Sequence, residues 1–284
     1  MKNRGEINVT KYSGEKAPFD VEKLRQSLQR SGAKEKVIDA VVEQVLPILY
    51  EGISTKEIYK KAFALLRKKE RPAAARYNLK KALLQLGPTG FPFELYVAEL
   101  LKAKGYETRT GQIVQGNCVQ HEVDVIAQKA EKHFMVECKF HSDQGRRCDV
   151  KIPLYIQSRF KDVEAAWLQK QGHGNKFHQG WVATNTRFTT DAIEYGKCMD
   201  LYLLSWDYPH NQSLKHWIDE TGAHPITCLT TLSGKDKQAL LDQGIVLCRQ
   251  LCDKPGFLDQ LALSESRKRK VMEEAEGVCN ILQS

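Results

Sequence analysis

No stretch of this 284-residue chain approaches the roughly 20 consecutive apolar residues that a helical membrane span requires. Met1-Lys2-Asn3-Arg4-Gly5 leads into no apolar signal region, so a cytoplasmic protein without a membrane partner is expected. The eight cysteines contain no Cys-x-x-Cys pair, which points away from a zinc site and from a disulfide framework. Cys248 and Cys252, four residues apart, read as one helix face in a core, and reduced thiols fit the same compartment. Internal repeats and low-complexity tracts are absent, and the length suits about two domains, each able to bury a core. Acidic residues are scarce at the start: residues 1–90 hold 19 Lys and Arg against 10 Asp and Glu. The remaining residues hold 24 against 25, close to neutral. A uniformly basic nucleic-acid coat is thus excluded, and the positive charge sits in the first third, where it can meet nucleotide or nucleic-acid phosphates.

The most informative stretch runs from His121 to Lys139. His121-Glu122-Val123-Asp124-Val125-Ile126-Ala127 and His133-Phe134-Met135-Val136-Glu137-Cys138-Lys139 are rich in Val, Ile, Phe and Met and are separated by a short polar break. Two adjacent strands are expected. Alternation places Glu122 with Asp124 on one side of the first strand, and Glu137 with Lys139 on one side of the second. Antiparallel pairing would bring three carboxylates and an amine to one patch. Like charges at half-buried positions repel unless a cation neutralises them. Oxygen-only ligands favour a hard ion such as Mg²⁺. The chemistry that fits is hydrolysis of a phosphodiester, with Lys139 orienting the nucleophile. The bland alternative is an edge-strand ion pair between Glu137 and Lys139.

Asp124 followed by Glu137-Cys138-Lys139 resembles the Asp…Glu-x-Lys signature of restriction-endonuclease-like nucleases, in particular the Mrr-like branch. That branch opens its site with a helical glutamate, and Phe93-Glu94 followed by Val97, Leu100, Leu101, Gly105 and Tyr106 matches its pattern. Gln157 falls where many relatives place a site glutamine. Trp181-Val182-Ala183-Thr184-Asn185-Thr186 with Phe188-Thr189 resembles the strand and helix start that close the fold. The resemblance covers roughly residues 90–208. It implies catalytic Glu94, Asp124, Glu137, Lys139 and Gln157, with Asp124 and Glu137 holding Mg²⁺ or Mn²⁺. The order expected is helix 91–104, strands near 106–115, 118–127 and 132–140, helix 153–170, strand 178–185, helix 188–198 and strand 200–205. Gln169 to Asn175 reads as a polar loop. Together these elements form an α/β/α core.

Upstream, residues 6–12 read as a strand, Ser13-Gly14-Glu15-Lys16 as a turn and Ala17-Pro18-Phe19 as a return strand. Asp20 is a good N-cap for a helix ending near Gly32. Further helices are expected at 34–50, from Ser54 (whose Ser54-Thr55-Lys56-Glu57 has capping-box spacing), and at 72–86. Val9-x-Lys11, Gly14, Phe19-Asp20-x-x-Lys23 and Arg76-Tyr77 resemble an ATP-cone, the regulatory nucleotide-binding module of ribonucleotide reductases and their repressors. The resemblance implies that ATP or dATP meets Val9, Lys11, Tyr12, Lys23, Thr55, Tyr59 and Arg76, with Lys11 and Lys23 on the triphosphate. Tyr12 stands where the family usually has Arg.

The organisation expected is therefore an α/β protein in three parts. Residues 1–88 are an ATP-cone, a small β-hairpin plus four helices, residues 89–210 a restriction-endonuclease-like core, and residues 211–284 a helical C-terminal region. Gly87-Pro88-Thr89-Gly90 is the short joint. Helices are expected at 235–243, 246–252, 256–263 and 264–281. Gln243-Gly244-Ile245 partly resembles a helix-hairpin-helix tip, which implies a phosphate contact at Gly244. Arg146 and Arg147, in the basic loop after Lys139, are expected as further DNA contacts or as a solvated loop, and Arg267-Lys268-Arg269-Lys270 is either a phosphate contact or a solvated face. The expected function is a metal-dependent DNA endonuclease tuned by a nucleoside triphosphate, a homo-oligomer if both strands are cut. An RNase, a structure-specific repair nuclease and a nucleotide-responsive DNA-binding protein with an idle site stand as alternatives.

Overall fold

The computed structural model describes residues 7–169 and 177–280. The expected loop at 169–175 falls outside them, apart from Gln169 at the end of a helix.

Residues 8–83 build the first unit. β1 (Asn8–Thr10) and β2 (Lys16–Pro18) pair antiparallel, with Val9 opposite Ala17. α1 (Val21–Arg30) starts where Asp20 accepts from the amides of Glu22 and Lys23, and α2 (Glu35–Val45) follows. α3 (Thr55–Lys69) starts at Ser54, which accepts from the Glu57 amide. Leu28, Ile38, Val41, Val45 and Leu66 are buried together as its core. The single helix expected at 72–86 is instead two short ones, α4 (Arg71–Tyr77) and α5 (Leu79–Leu83). Between them Asn78 leaves helical geometry, and its side-chain oxygen accepts from the Tyr59 hydroxyl at 2.8 Å. A short polar side chain with such an alternative partner competes with helix continuation; the uninterrupted apolar pattern around it concealed the break.

α6 (Phe91–Ala103) then leads into a five-stranded sheet of order β3-β4-β5-β7-β9. β3 (Glu107–Gln115), β4 (Gln120–Lys129) and β5 (Lys132–Lys139) form an antiparallel meander, whereas β7 (Phe177–Thr184) and β9 (Tyr202–Leu204) run parallel to β5. Alternation along β5 sends Phe134, Val136 and Cys138 into one core with Phe93, Tyr96 and Val97 of α6. Met135 enters a second core with Ile156, Phe160 and Val163 of α7 (Lys151–Gln169). Helices therefore cover both sheet faces. β6 (Arg147–Cys148) and β8 (Arg187–Phe188) form a small parallel ladder, and α8 (Thr190–Cys198) lies beside α7.

The C-terminal helices are α9 (Leu214–Thr221), α10 (Gly234–Asp242), α11 (Cys248–Asp253) and α12 (Glu265–Cys279). The helix expected at 256–263 is a 3₁₀ segment over Pro255–Gln260; Pro and Gly at its start are poor helix formers. These helices have no separate core. Trp217, Leu240, Leu251 and Val271 share the core of α6 and the sheet, and the Tyr96 hydroxyl donates to the Ala223 carbonyl at 3.0 Å. α6 is thus enclosed between the sheet and the C-terminal helices.

Candidate active site

The site forms where β4 and β5 part. Their pairing runs from Lys129 opposite Lys132 only as far as Val125 opposite Val136. Asp124 lies one residue past its end, across from Gly111 of β3, whose φ of +58° bends that strand. Asp124 Oδ2 instead accepts from the Cys138 amide at 2.6 Å, which fixes the aspartate beside the end of β5. Glu137 is 5% exposed and carries two cations. Lys139 Nζ donates to its Oε1 at 2.6 Å and Arg159 of α7 donates to its Oε2 at 2.6 Å. Arg159 also donates to the Glu122 carbonyl. The Glu122 side chain itself is exposed, so this member of the expected patch touches Arg159 only through its backbone carbonyl.

Glu94 comes from the first turn of α6, after Gly90, a residue with φ of +86° whose carbonyl accepts from the amides of Phe93 and Glu94. Burial, then the charges of Asp124, Glu137 and Glu122, push the Glu94 carboxyl up to about 7. Burial and Glu137 push Asp124 up to about 6, against the Cys138 amide bond. For Lys139, burial acts to lower the pKa, but the hydrogen bond and charge of Glu137, with Asp124, outweigh it and leave it raised. Gln157 is 4% exposed, and its side-chain oxygen has no hydrogen-bond partner among the described residues. Glu94, Asp124, Glu137 and Lys139 thus interact as one charged group. Arg159, which no motif singled out, joins them.

The donor set suits a hard divalent cation. Burial first, and neighbouring carboxylates second, hold two carboxyls far above their ordinary values, and a buried amide oxygen has no donor among the described residues. Among the described residues no group of three or more His, Cys, Asp or Glu side chains forms a ready-made metal cage. Such an arrangement matches an ion that keeps several waters and is completed by substrate phosphate.

The expected nucleotide contacts divide. Val9, Lys11, Lys23, Thr55 and Tyr59 line one cavity of about 270 Å³, together with Phe19, Asp20 and Tyr77. Lys11 pairs with Glu15 at 3.0 Å and Lys23 with Asp20 at 3.5 Å; both are surface pairs that an incoming phosphate can displace. Arg76 does not line it. Its Nε donates to the Ser31 carbonyl and its Nη1 to that of Gly277, both at 2.7 Å. Tyr12 also lies outside, and its hydroxyl donates to Asp143 Oδ1 at 3.1 Å, on the loop after β5. In the same loop Arg146 is exposed, as is Arg147 at the start of β6. Gly244 is not placed for the contact expected of it. Its amide and that of Ile245 donate to Leu241 and Leu240, and those of Val246 and Leu247 donate to Gln250 Oε1, so the tip has no free amide for a phosphate.

The layered sheet, the split β4–β5 pair and its carboxylate cluster define a restriction-endonuclease-like domain behind a nucleotide-binding cone. Residues 87–205 match the restriction endonuclease family, residues 7–80 the ATP cone domain and residues 224–279 the family described as AF1548-like, C-terminal. An uncharacterized protein of Archaeoglobus fulgidus is 36% identical over 186 residues, 64% of this chain and 99% of that protein. The chain belongs to this AF1548-like family. A crystal structure titled as AF1548, a protein of unknown function, is 35% identical, with a TM-score of 0.54, over 66% of this chain and 97% of that one.

Proposed function

We propose that the chain is a metal-dependent endonuclease that hydrolyses DNA phosphodiesters at Glu94, Asp124, Glu137 and Lys139, tuned by ATP or dATP in the cone. The observation that carries this is the convergence of three acidic side chains and Lys139 where β4 and β5 part. Asp124 and Glu137 would hold Mg²⁺ or Mn²⁺, which, when bound, supplies positive charge to the phosphoryl group and acidifies water. The chain's own residues do the rest. Lys139, anchored to Glu137, presents an ammonium that holds the attacking water or neutralises charge on the phosphate. Glu94, with a pKa near neutrality, can exchange a proton at its carboxyl oxygen at working pH. Gln157 offers its unpartnered amide oxygen to a water or a nucleophile. Exposed Arg146 and Arg147 border the site through their loop and suit a phosphate backbone. The cone cavity supplies the nucleotide reading, with Lys11 and Lys23 meeting the triphosphate beside the start of α1.

The test is cleavage of plasmid DNA with Mg²⁺ or Mn²⁺, by wild type and Asp124→Ala, with and without ATP and dATP. Cutting that is lost in Asp124→Ala and changes with nucleotide is the expected result. Cutting without a nucleotide response removes the regulatory half. Absence of DNA cutting by the wild type, with RNA cut instead, replaces the substrate; binding without any cutting leaves an idle site.

A further inference from the structure

A second charged cavity lies between the cone and the C-terminal helices, distinct from the residues of the carboxylate cluster and of the cone cavity. It has a volume of about 600 Å³ and is lined by Arg67, Lys68, Arg71, Arg267 and Lys270, with Thr230 and Thr231. Five cations from the end of α3, the start of α4 and the first turns of α12 meet there, although almost 200 residues separate the two groups in sequence. All five are exposed.

The packing that builds this cavity fixes its shape. α12 lies close against α4 because Gly277 has no side chain; a Cβ there would meet Pro72 Cγ at 2.5 Å. The Gly277 carbonyl accepts from half-buried Arg76 at 2.7 Å, which ties the helices together. Lys270 and Arg267, one and two turns before Glu274, therefore come to face Arg71 and the α3 terminus.

Gathering five like charges on preformed walls is unfavourable unless something opposes them. The protein supplies little. Glu274, one turn after Lys270, is 2% exposed and accepts from the amides and hydroxyls of both Thr230 and Thr231, at 2.6 to 3.0 Å. It is consumed in holding that loop. Arg267 reaches Asp236 at 3.3 Å, and Arg67 lies over the Phe63 ring. Among the described residues, Arg67, Lys68, Arg71 and Lys270 make no ion pair. A ligand that answers this surface carries several closely spaced negative charges. The cavity's open, exposed cations suit phosphates presented in a row, as along a nucleic-acid backbone, better than a buried single anion.

We propose that this cleft binds the phosphate backbone of duplex DNA outside the cleaved stretch, an anchoring site shared by the cone and the C-terminal helices. It rests on the DNA reading above, and the test separates the two. The full-length chain, as wild type and as the triple variant Lys68→Ala, Arg71→Ala, Lys270→Ala, is titrated with a fluorescent 30-base-pair duplex over a range of salt concentrations, and cutting is followed in parallel with Mg²⁺. Thermal unfolding checks that the variant is folded, as exposed side chains without ion pairs should allow. Each neutralised phosphate contributes about 0.9 to the slope of log affinity on log salt. The expected result is a tenfold or greater loss of affinity at moderate salt and a slope shallower by about 2 to 3 in the variant. Equal affinity and slope in the two proteins overturn the cleft, whether or not DNA is cut; duplex bound through the cleft but uncut overturns only the nuclease reading. If the wild type binds no duplex, inorganic triphosphate is titrated into a Lys11→Ala, Lys23→Ala background, which removes the cone's own phosphate contacts. Binding lost on adding the triple substitution then keeps a phosphate site with a small polyphosphate as its ligand, and no binding overturns it.

Discussion

Arg159 holds the second oxygen of a carboxylate that is nearly sealed from water. With Lys139 on the other oxygen, Glu137, 5% exposed, has both carboxylate oxygens paired with a fixed cation. Arg159→Ala should destabilise the metal-free protein by about 3 kcal/mol, the usual cost of breaking a buried pair. If Glu137 is a metal ligand, Mg²⁺ then replaces the lost charge, and the ion should raise the melting temperature of the variant more than that of the wild type. Equal Mg²⁺ shifts in thermal unfolding would place the ion elsewhere. The carboxyls beside it set a pH dependence. Glu94 at about 7 and Asp124 at about 6 lie above their ordinary 4.5 and 3.8. These two carboxyls therefore hold more protons in the folded chain than in the unfolded one between roughly pH 4 and 7, and their contribution to metal-free stability falls as pH rises through that window. Asp124→Asn should flatten that fall in denaturant titrations at stepped pH; a slope unchanged from wild type refutes the electrostatic account. Asp124, Glu137 and Lys139 were legible because strand alternation and a spaced signature mark them. Arg159 was not, since a lone arginine on a long helix acquires meaning only when α7 is laid across the end of β5.

Helices α6 and α12 are the elements on which the arrangement turns, and they differ in how far sequence reveals them. α6 carries Glu94 in a recognisable pattern and is buried through Phe93, Tyr96, Val97 and Leu101 on more than one side. That enclosure signals a second layer beyond the sheet. The C-terminal helices supply it, although their sequence reads as a region of its own. α12 was visible as a helix over 264–281, and the structure caps it with Ser264, which accepts from the Arg267 amide. What it grips was not visible, because Thr230 and Thr231 lie more than 40 residues before Glu274 and their bonding has no local pattern. Replacing Glu274 by alanine strands two amides and two hydroxyls in a largely buried loop. The expected cost is about 3 kcal/mol, read as a lower midpoint in denaturant unfolding with an unchanged slope. A midpoint within about 0.5 kcal/mol of wild type would show that water replaces the carboxylate at no cost.

At the scale of the whole molecule, the cone is bound to the site strand at several points rather than hung from a linker. Gly87 in the joint lies against Phe140, one residue past Lys139, with room for no side chain. Asn185, 1% exposed, accepts from the His141 amide and donates to the carbonyls of His141 and Leu83, so one side chain joins α5 to the loop after β5. Tyr12 completes the link from the cone hairpin, next in sequence to Lys11 of the cone cavity, to Asp143 of that same loop. If a triphosphate is held by Lys11, the hairpin and the Tyr12–Asp143 hydrogen bond make a short route from it to the segment with Arg146 and Arg147. Linkage then requires that DNA change ATP affinity by the same factor as ATP changes DNA affinity. Tyr12→Phe keeps the ring and removes only the hydroxyl that donates to Asp143. Titrating ATP into full-length protein with and without saturating duplex, on an Asp124→Ala background to prevent cutting, measures that factor. For an intact connection it should fall within about 5- to 150-fold. In Tyr12→Phe it should drop towards one while ATP affinity without DNA stays close to that of the parent. An unchanged factor would mean that Asn185 and the joint carry the coupling, and the Tyr12 contact would be a surface hydrogen bond with no part in it.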